Sequence, residues 1–501
     1  MKSYVDCMDE ISAEELYEGL LVHGMFSSKL PPIFSAESFG EYCKVMTQEF
    51  QKRKGRGYDY VVFDTMRNVN IPRSLGIPNP MAYQKLCASV KEYWGDIQAH
   101  FREFCGGQAY KVSRTHVRKS KGRKSLFDMS YDNWRVDGAP EAELLVGAKY
   151  VVHADISACF PSVYTHALCW ALDGKEIAKK DRKQGRYNSL DEACQRVKNG
   201  ETHGLLIGPH VSNLLAEIIL VVVDKELGKE WKYVRHIDDY TCYVRTRDDA
   251  ERFIRTLTAE LRKFDLLINH KKTIVEALPV PLVKEWKRQL SVYSLITSYG
   301  KTSYREASSY LDLAVRLMKE NNANAAVLNY AIKTLSGQQL TDSARWLCVK
   351  QAMHLALVYP YLVPLLEEYV FKPYSVSDEE VADFAKLMYE IGVETGNVEQ
   401  CCYSIYYSLK RSFCIPQVKL EHIMDSDNCV FKLLGWLYCK RYGTKCERRG
   451  LKEHAVDLYQ KDMDRNWLFV FEALSVGDLT GDWKLMKRGK VSFLIDEFRP
   501  G

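Results

Sequence analysis

Two adjacent carboxylates, Asp238 and Asp239, interrupt the stretch KYVRHIDDYTCYV (232–244). On either side the residues are β-favouring or apolar: Tyr233, Val234 and Ile237 before, Tyr240, Cys242, Tyr243 and Val244 after. Adjacent Asp residues are poor strand formers, so the pair reads as the tip of a hairpin. A solvated acidic turn is the plain alternative. The chemical alternative is a cation site, because two carboxylates at a hairpin tip can hold Mg²⁺, which takes oxygen ligands and keeps positions open for water and phosphate. That reading needs a third carboxylate. Asp155 supplies one, at the end of the apolar run AKYVVHADI (148–156). An unpaired charge buried there would be costly. Asp155 could instead cap a helix beginning in DISACFPS. If the strand end and the hairpin tip meet, Asp155, Asp238 and Asp239 can hold two ions about 4 Å apart, the spacing of two-metal phosphoryl chemistry.

The flanking elements decide whether they meet. After the run 148–156, FPSVYTHALCWAL (160–172) reads as a helix with Pro161 in its first turn. A polar, charged segment occupies 173–203, and GPHVSNLLAEIILVVVDKEL (208–227) reads as a second helix. Beyond the hairpin, DDAERFIRTLTAELRKF (248–264) places Phe253, Ile254, Leu257 and Leu261 on one helical face. LLINHKKTIVEAL (266–278) returns as strands. The order strand, helix, helix, hairpin, helix, strand suits a split βαβ sheet with helices on one face. Upstream, residues 1–50 read as mostly helical with a Pro-Pro break at 31–32, and 51–140 as a basic, Gly- and Pro-containing region with short strands. From about 291 to 501 helical patterns such as SSYLDLAVRLMKE dominate without an exact period.

Composition narrows the classes. A chain of 501 residues, 46% hydrophobic, is long enough for two or three domains and argues against long disordered regions. Net charge is only +5, so nucleic-acid binding must come from local clusters. Fifteen cysteines without a Cys-x-x-Cys show no zinc spacing and suit a reducing compartment. The acidic N-terminus MKSYVDCMDEISAEEL is unlike a signal peptide. The apolar run Leu214–Val223 is interrupted by Glu217 and too short for a bilayer. A soluble cytoplasmic protein with no membrane partner is expected.

HADISACFPSVYTH, GLLIGPHVSNLLAE, YVRHIDDY and LLINHKKT stand in the order and at roughly the spacing of the polymerase motifs of reverse transcriptases. NIPRSLGIPNPMAYQKLC (70–87) resembles their upstream fingers motif. EALPVPLVKEWKRQL (276–290) is similar to the segment after the palm in the abortive-infection, defence-associated bacterial branch. The likeness covers roughly residues 60–290. It implies an α+β fold: reverse-transcriptase-like fingers and palm over 1–290, then an all-α helical domain over 291–501, of HEAT-like repeats as one form, in place of a thumb.

The resemblance also implies roles. Asp155, Asp238 and Asp239 become metal ligands and catalytic carboxylates, joined by the backbone carbonyl of Ile156, with Mg²⁺ as cofactor and Mn²⁺ as a substitute. Phe160, five residues after Asp155, takes the place of the bulky gate that disfavours a ribose 2′-hydroxyl; a core Phe is the plain alternative. Gly208 and Pro209 shape the floor under the incoming base pair, and Lys272 approaches the triphosphate. The basic stretch KVSRTHVRKSKGRK (111–124) can neutralise a triphosphate or a backbone through Arg114 and Arg118, or it is a solvated loop. His236 stands where the family usually has an aromatic such as Tyr, and Ile207 where many members have Gln. Some members of the branch prime on a protein tyrosine. Tyr403, Tyr406 and Tyr407, near Lys410 and Arg411, are candidates, with core packing as the alternative.

The implied partners are deoxynucleoside triphosphates, a DNA product, a non-coding RNA as template or scaffold, and further copies of the chain. The leading function is an RNA-directed or template-independent DNA polymerase in antiphage defence. A non-catalytic nucleic-acid-binding scaffold and a metal-dependent nuclease compete with it. A scaffold needs no third carboxylate, and a nuclease gives Phe160, Gly208 and Lys272 no task.

Overall fold

The computed structural model describes residues 2–45, 57–68, 71–120, 122, 124–127, 137–180, 185–281, 283–293, 295 and 300–499. Helices α1 (Tyr4–Asp9), α2 (Ala13–Leu21) and α3 (Glu37–Val45) open the chain. Ser3 and Ser12 begin α1 and α2 with full capping boxes, each hydroxyl accepting from the amide three residues on. An antiparallel hairpin follows, β1 (Val61–Asn68) and β2 (Ile71–Ile77).

Two helices then lie where only short strands were expected: α4 (Pro80–Glu92) and α5 (Trp94–Cys105). The local signal for α4 is its start. The Asn79 side chain accepts from the amides of Met81 and Ala82, and Pro80 occupies the first turn, where a missing N–H costs nothing.

The central sheet has the order β4-β5-β3-β6 and is antiparallel throughout, with β3 at Tyr150–Asp155, β4 at Tyr233–His236, β5 at Asp239–Val244 and β6 at Ile274–Ala277. The chain around Ser113 runs beside β4, with the Arg114 amide donating to the Arg235 carbonyl at 2.8 Å and the Arg235 amide to the Val112 carbonyl at 2.8 Å. One face of the sheet carries Val152, Ala154, Tyr240 and Cys242, all buried. Against it packs the amphipathic α9 (Arg247–Arg262), and the long apolar helix α8 (His210–Gly228) meets β4 through Tyr233 and Arg235. Phe253 of α9 sits 6.0 Å from the Tyr233 ring, centroid to centroid.

The helix expected over 160–172 is two helices, α6 (Cys159–Ser162) and α7 (Ala167–Asp173). Between them the backbone is extended, and its hydrogen bonds go sideways: the Gly204 amide donates to the Val163 carbonyl and the Thr165 amide to the Thr202 carbonyl. A tertiary pairing thus displaces the helical one. The polar segment 173–203 is itself partly helical, at Lys175–Lys180 and Asn188–Arg196.

Beyond 300 every long element is a helix, and these helices pack on the N-terminal hairpin as well as on each other. Three of them are α10 (Val398–Arg411), α11 (Cys429–Tyr442) and α12 (Met463–Ala473). Glu399 of α10 accepts from the Met66 amide at 2.8 Å, Asn428 at the start of α11 donates to the Val62 carbonyl at 3.3 Å, and Arg465 of α12 pairs with Asp59 at 3.2 Å. The C-terminal segment closes onto the other end of the chain, where the Ser35 amide donates to the Phe493 carbonyl and the Ile495 amide to the Ile33 carbonyl. Near 290 the chain is packed: Trp286 and Leu290 are buried, and Trp286 meets the Tyr330 ring at 5.9 Å. Among the described residues no helix is long and apolar enough to cross a membrane.

Candidate active site

β3 and β5 are neighbours in a register that sets Asp155 directly opposite Asp239. His153 and Thr241, two residues further along each strand, share that face, and their side chains approach to 3.3 Å. Asp238 follows from the hairpin. β4 and β5 pair His236 with Asp239, leaving Ile237 and Asp238 as a two-residue turn. The Asp238 carbonyl accepts from the Ile156 amide at 3.1 Å, which ties the turn to the end of β3. The three carboxylates therefore converge through strand pairing alone.

Asp155 is 5% exposed and fully engaged. One oxygen accepts from Asn269 Nδ2 at 3.1 Å, the other from Lys272 Nζ at 2.7 Å. The Asn269 amide donates to the Asp155 carbonyl at 2.7 Å, so the segment before β6 closes over the strand end. Asp155 caps no helix; α6 begins after Ala158 without a side-chain cap. Burial raises the carboxyl of Asp238 above its ordinary range, and the Asp155 charge adds to this. Asp239 is exposed at the strand end, yet the desolvated surroundings raise its carboxyl, followed by the charge of Asp238 and the hydrogen bond and charge of Asp155. Like charges crowd here, and Lys272 only partly offsets them.

Such a cluster suits an oxygen-preferring divalent cation. It is an open cluster. Among the described residues no three His, Cys, Asp or Glu side chains form a ready-made metal shell, and Lys272 occupies one Asp155 oxygen.

Phe160 is half-buried on α6, and its carbonyl accepts from the Leu205 amide at 2.7 Å. Gly208 has φ 128°, a conformation L side chains rarely adopt, and a Cβ there would lie 3.4 Å from the Gly76 carbonyl oxygen of β2. The Gly76 amide donates to the Ile207 carbonyl at 2.9 Å, and Pro209 leads into α8. Gly208 and Pro209 thus stand where the hairpin β1–β2 meets the sheet layer. Arg73 of β2 lowers the Asp238 carboxyl through its charge. This cation was overlooked in the sequence, although it lies within the fingers-like stretch, where the run Ile71–Ile77 carries it as its one charged residue.

Two groups of expected site residues are engaged by the protein itself. Arg114 and Arg118 are buried, not poised for a triphosphate. Arg118 pairs with Asp137 at 2.8 Å, Lys111 pairs with the same carboxylate at 2.5 Å, and Arg114 donates to the carbonyls of Asp137 and Gly138. A buried charge must be paired, and here the protein itself supplies the partner. Lys119 and Lys124 pair with Glu15 and Glu37; Lys121 and Arg123 lie outside the described residues. Tyr403, Tyr406 and Tyr407 are likewise core residues, at 3%, 3% and 1% exposure, and the Tyr407 hydroxyl donates to the Val363 carbonyl at 2.9 Å. A priming hydroxyl must be accessible, and these three side chains are buried in the core.

A buried ionic cluster behind the turn was also missed. Arg235 pairs with Glu217 and Asp224 of α8 at 2.6 Å each, all three nearly inaccessible. Glu217, the one charge interrupting an apolar run, was its sequence signal.

Residues 101–299 match the family model described as Reverse transcriptase (RNA-dependent DNA polymerase). No curated protein matches the chain. Among solved structures, apo telomerase from Candida tropicalis truncated from its C-terminal domain is 14% identical over 50% of this chain, at a TM-score of 0.29. The match spans 55% of that protein's length. Apo telomerase from Candida tropicalis is 12% identical, covering 87% of this chain and 73% of its own, at a TM-score of 0.31. Telomerase from Candida albicans in complex with the TWJ fragment of telomeric RNA is 10% identical, covering 86% and 69%, at a TM-score of 0.30. The chain contains a reverse-transcriptase domain, and with it the catalytic class of a nucleotidyltransferase.

Proposed function

We propose that the protein is a DNA polymerase that extends a primer hydroxyl with deoxynucleotides, directed by RNA or without a template. The observation that supports this most is the register that opposes Asp155 to Asp239 with Asp238 on the adjoining turn. Asp155, Asp238 and Asp239, with the Ile156 carbonyl, would hold Mg²⁺, for which Mn²⁺ can substitute. The ion supplies charge neutralisation of the triphosphate and a lowered pKa at the attacking hydroxyl. The protein's own part is to hold and orient. Lys272, already at Asp155, and Arg73, whose charge reaches Asp238, are cations that a bound triphosphate would meet. Phe160 would meet the sugar, and Gly208 and Pro209 the base pair. Incubation of the pure protein with Mg²⁺ and each labelled dNTP, with and without RNA, tests this; no incorporation under any condition refutes it.

The finer reading is antiphage defence, supported by the likeness of residues 276–290 to the abortive-infection branch and by the helical region that follows. Phage plating on cells carrying the wild-type gene or its Asp238→Asn/Asp239→Asn form tests it: equal plaque counts with and without the wild-type gene count against it. A bound non-coding RNA and self-assembly belong to the same reading. The absorbance ratio and the mass of the purified protein by light scattering test them.

A further inference from the structure

The turn that carries Asp238 has an unfavourable backbone. Ile237 sits at φ 58°, in the left-handed region that Gly enters freely and β-branched residues rarely do. A two-residue hairpin turn of this kind ordinarily has Gly at its first position. Something must hold Ile237 there, and the surroundings show what does. Arg235 Nη1 donates to the Ile237 carbonyl at 2.8 Å.

The rest of the guanidinium is immobilised from behind. Nη1 also donates to Glu217 Oε1 at 2.6 Å, and Nη2 to Glu217 Oε2 at 3.1 Å and Asp224 Oδ2 at 2.6 Å. Nε reaches both Asp224 oxygens, at 3.1 and 3.0 Å. All five guanidinium N–H groups are thus occupied. Glu217 and Asp224 are seven residues apart on α8, two turns along one face, which matches the span of the planar fork. The carboxylates are steadied in turn: Ser113 Oγ donates to Glu217 at 2.9 Å, the Tyr4 hydroxyl lies 3.3 Å from it, and the Tyr233 hydroxyl donates to Asp224 at 2.9 Å. Four of the five donors anchor Arg235 to the helix, and the fifth is aimed at the turn. With the Ile156 amide on the Asp238 carbonyl, two successive carbonyls of the turn are pinned.

We propose that Arg235 is a positioning residue of the nucleotidyl-transfer site: anchored on Glu217 and Asp224, it fixes the Ile237 peptide and so orients Asp238 and Asp239 for metal binding. This rests on the reading of those two aspartates as metal ligands. It assigns to α8 a second task beyond core packing, that of a rigid bracket for the catalytic turn. Lysine cannot replace the arginine, because three donors on a point charge cannot span two carboxylates and a carbonyl.

Removing Arg235 alone would strand two buried carboxylates and endanger the fold. The test therefore neutralises the cluster together, as Arg235→Met/Glu217→Gln/Asp224→Asn, with and without Ile237→Gly. Three quantities are read: thermal unfolding, Mn²⁺ affinity by electron paramagnetic resonance, and amide hydrogen exchange at 236–239. The triple variant is expected to stay folded, to bind Mn²⁺ about tenfold more weakly and to exchange faster at the turn. Adding Ile237→Gly is expected to restore Mn²⁺ affinity to within about threefold of wild type, because Gly needs no clamp. Unchanged Mn²⁺ affinity and unchanged exchange in the triple variant overturn the proposal. So does a loss that Ile237→Gly leaves in place, which would mark a general structural role. If the triple variant does not fold, Arg235→Lys is read in the same way. If wild type and Asp238→Asn/Asp239→Asn bind Mn²⁺ equally, the metal reading has failed; exchange at the turn then decides the clamp by itself.

Discussion

Glu399 joins the helical region to the hairpin β1–β2, and its protonation should set how firmly. The side chain is 2% exposed, and its acceptor role toward the Met66 amide leaves the charge otherwise buried. Burial pushes its carboxyl up to about 8; the Met66 hydrogen bond and the Lys29 charge oppose this only in part. In the unfolded chain the group titrates near 4.5. Between these values the fold retains a proton that the unfolded chain releases, so rising pH favours unfolding. The loss is about 1.4 kcal/mol per pH unit inside the window, begins above pH 4.5 and levels off above pH 8. From pH 5.5 to 8.5 it amounts to about 3 kcal/mol. Glu399→Gln keeps the acceptor for Met66 and cannot ionise. Urea unfolding of both proteins across that range, followed by tryptophan fluorescence, should give a stability difference that grows with pH in favour of Gln. Amide exchange at Met66 should show the same divergence locally. Taking the difference cancels every other titrating group. A constant difference across the range would refute the argument, because it would mean that Glu399 is ionised in the fold or that the contact is not formed.

Asp238→Asn/Asp239→Asn should reduce incorporation to background while raising the thermal midpoint, since two crowded charges are removed; normal incorporation of dNTPs would end the polymerase assignment. Phe160→Ala should raise the use of ATP relative to dATP in direct competition, and an unchanged ratio in a folded variant would leave Phe160 as a core residue. Residues 1–290 expressed alone should aggregate and lose synthesis, because Asp59, Val62 and Met66 lose their partners and the apolar surface around Phe39 loses Phe493, which lies 5.4 Å from it. A soluble, active fragment would show that the helical region serves something else.

The carboxylate cluster was legible in the sequence because its signals are local. Strand alternation around Asp238 and Asp239, an apolar run ending in Asp155, and an apolar helix before the hairpin are patterns of period two and 3.6, written into neighbouring residues. What the three elements do together follows from antiparallel pairing. Four things did not follow. The break between α6 and α7 depends on the Val163 carbonyl accepting from the Gly204 amide and the Thr165 amide donating to the Thr202 carbonyl, and the intervening sequence carries no mark of them. Arg114 and Arg118 look like a basic patch in sequence, yet Asp137 draws Arg118 inward and the carbonyls beside it take up Arg114. Arg235 reads as an ordinary strand residue until α8 brings Glu217 and Asp224 to it. The docking of Glu399 on Met66 spans more than three hundred residues of chain. Periodicity reports which face of an element is apolar. Which charge meets which across the core depends on how elements distant in sequence are laid together, and only the tertiary structure decides that.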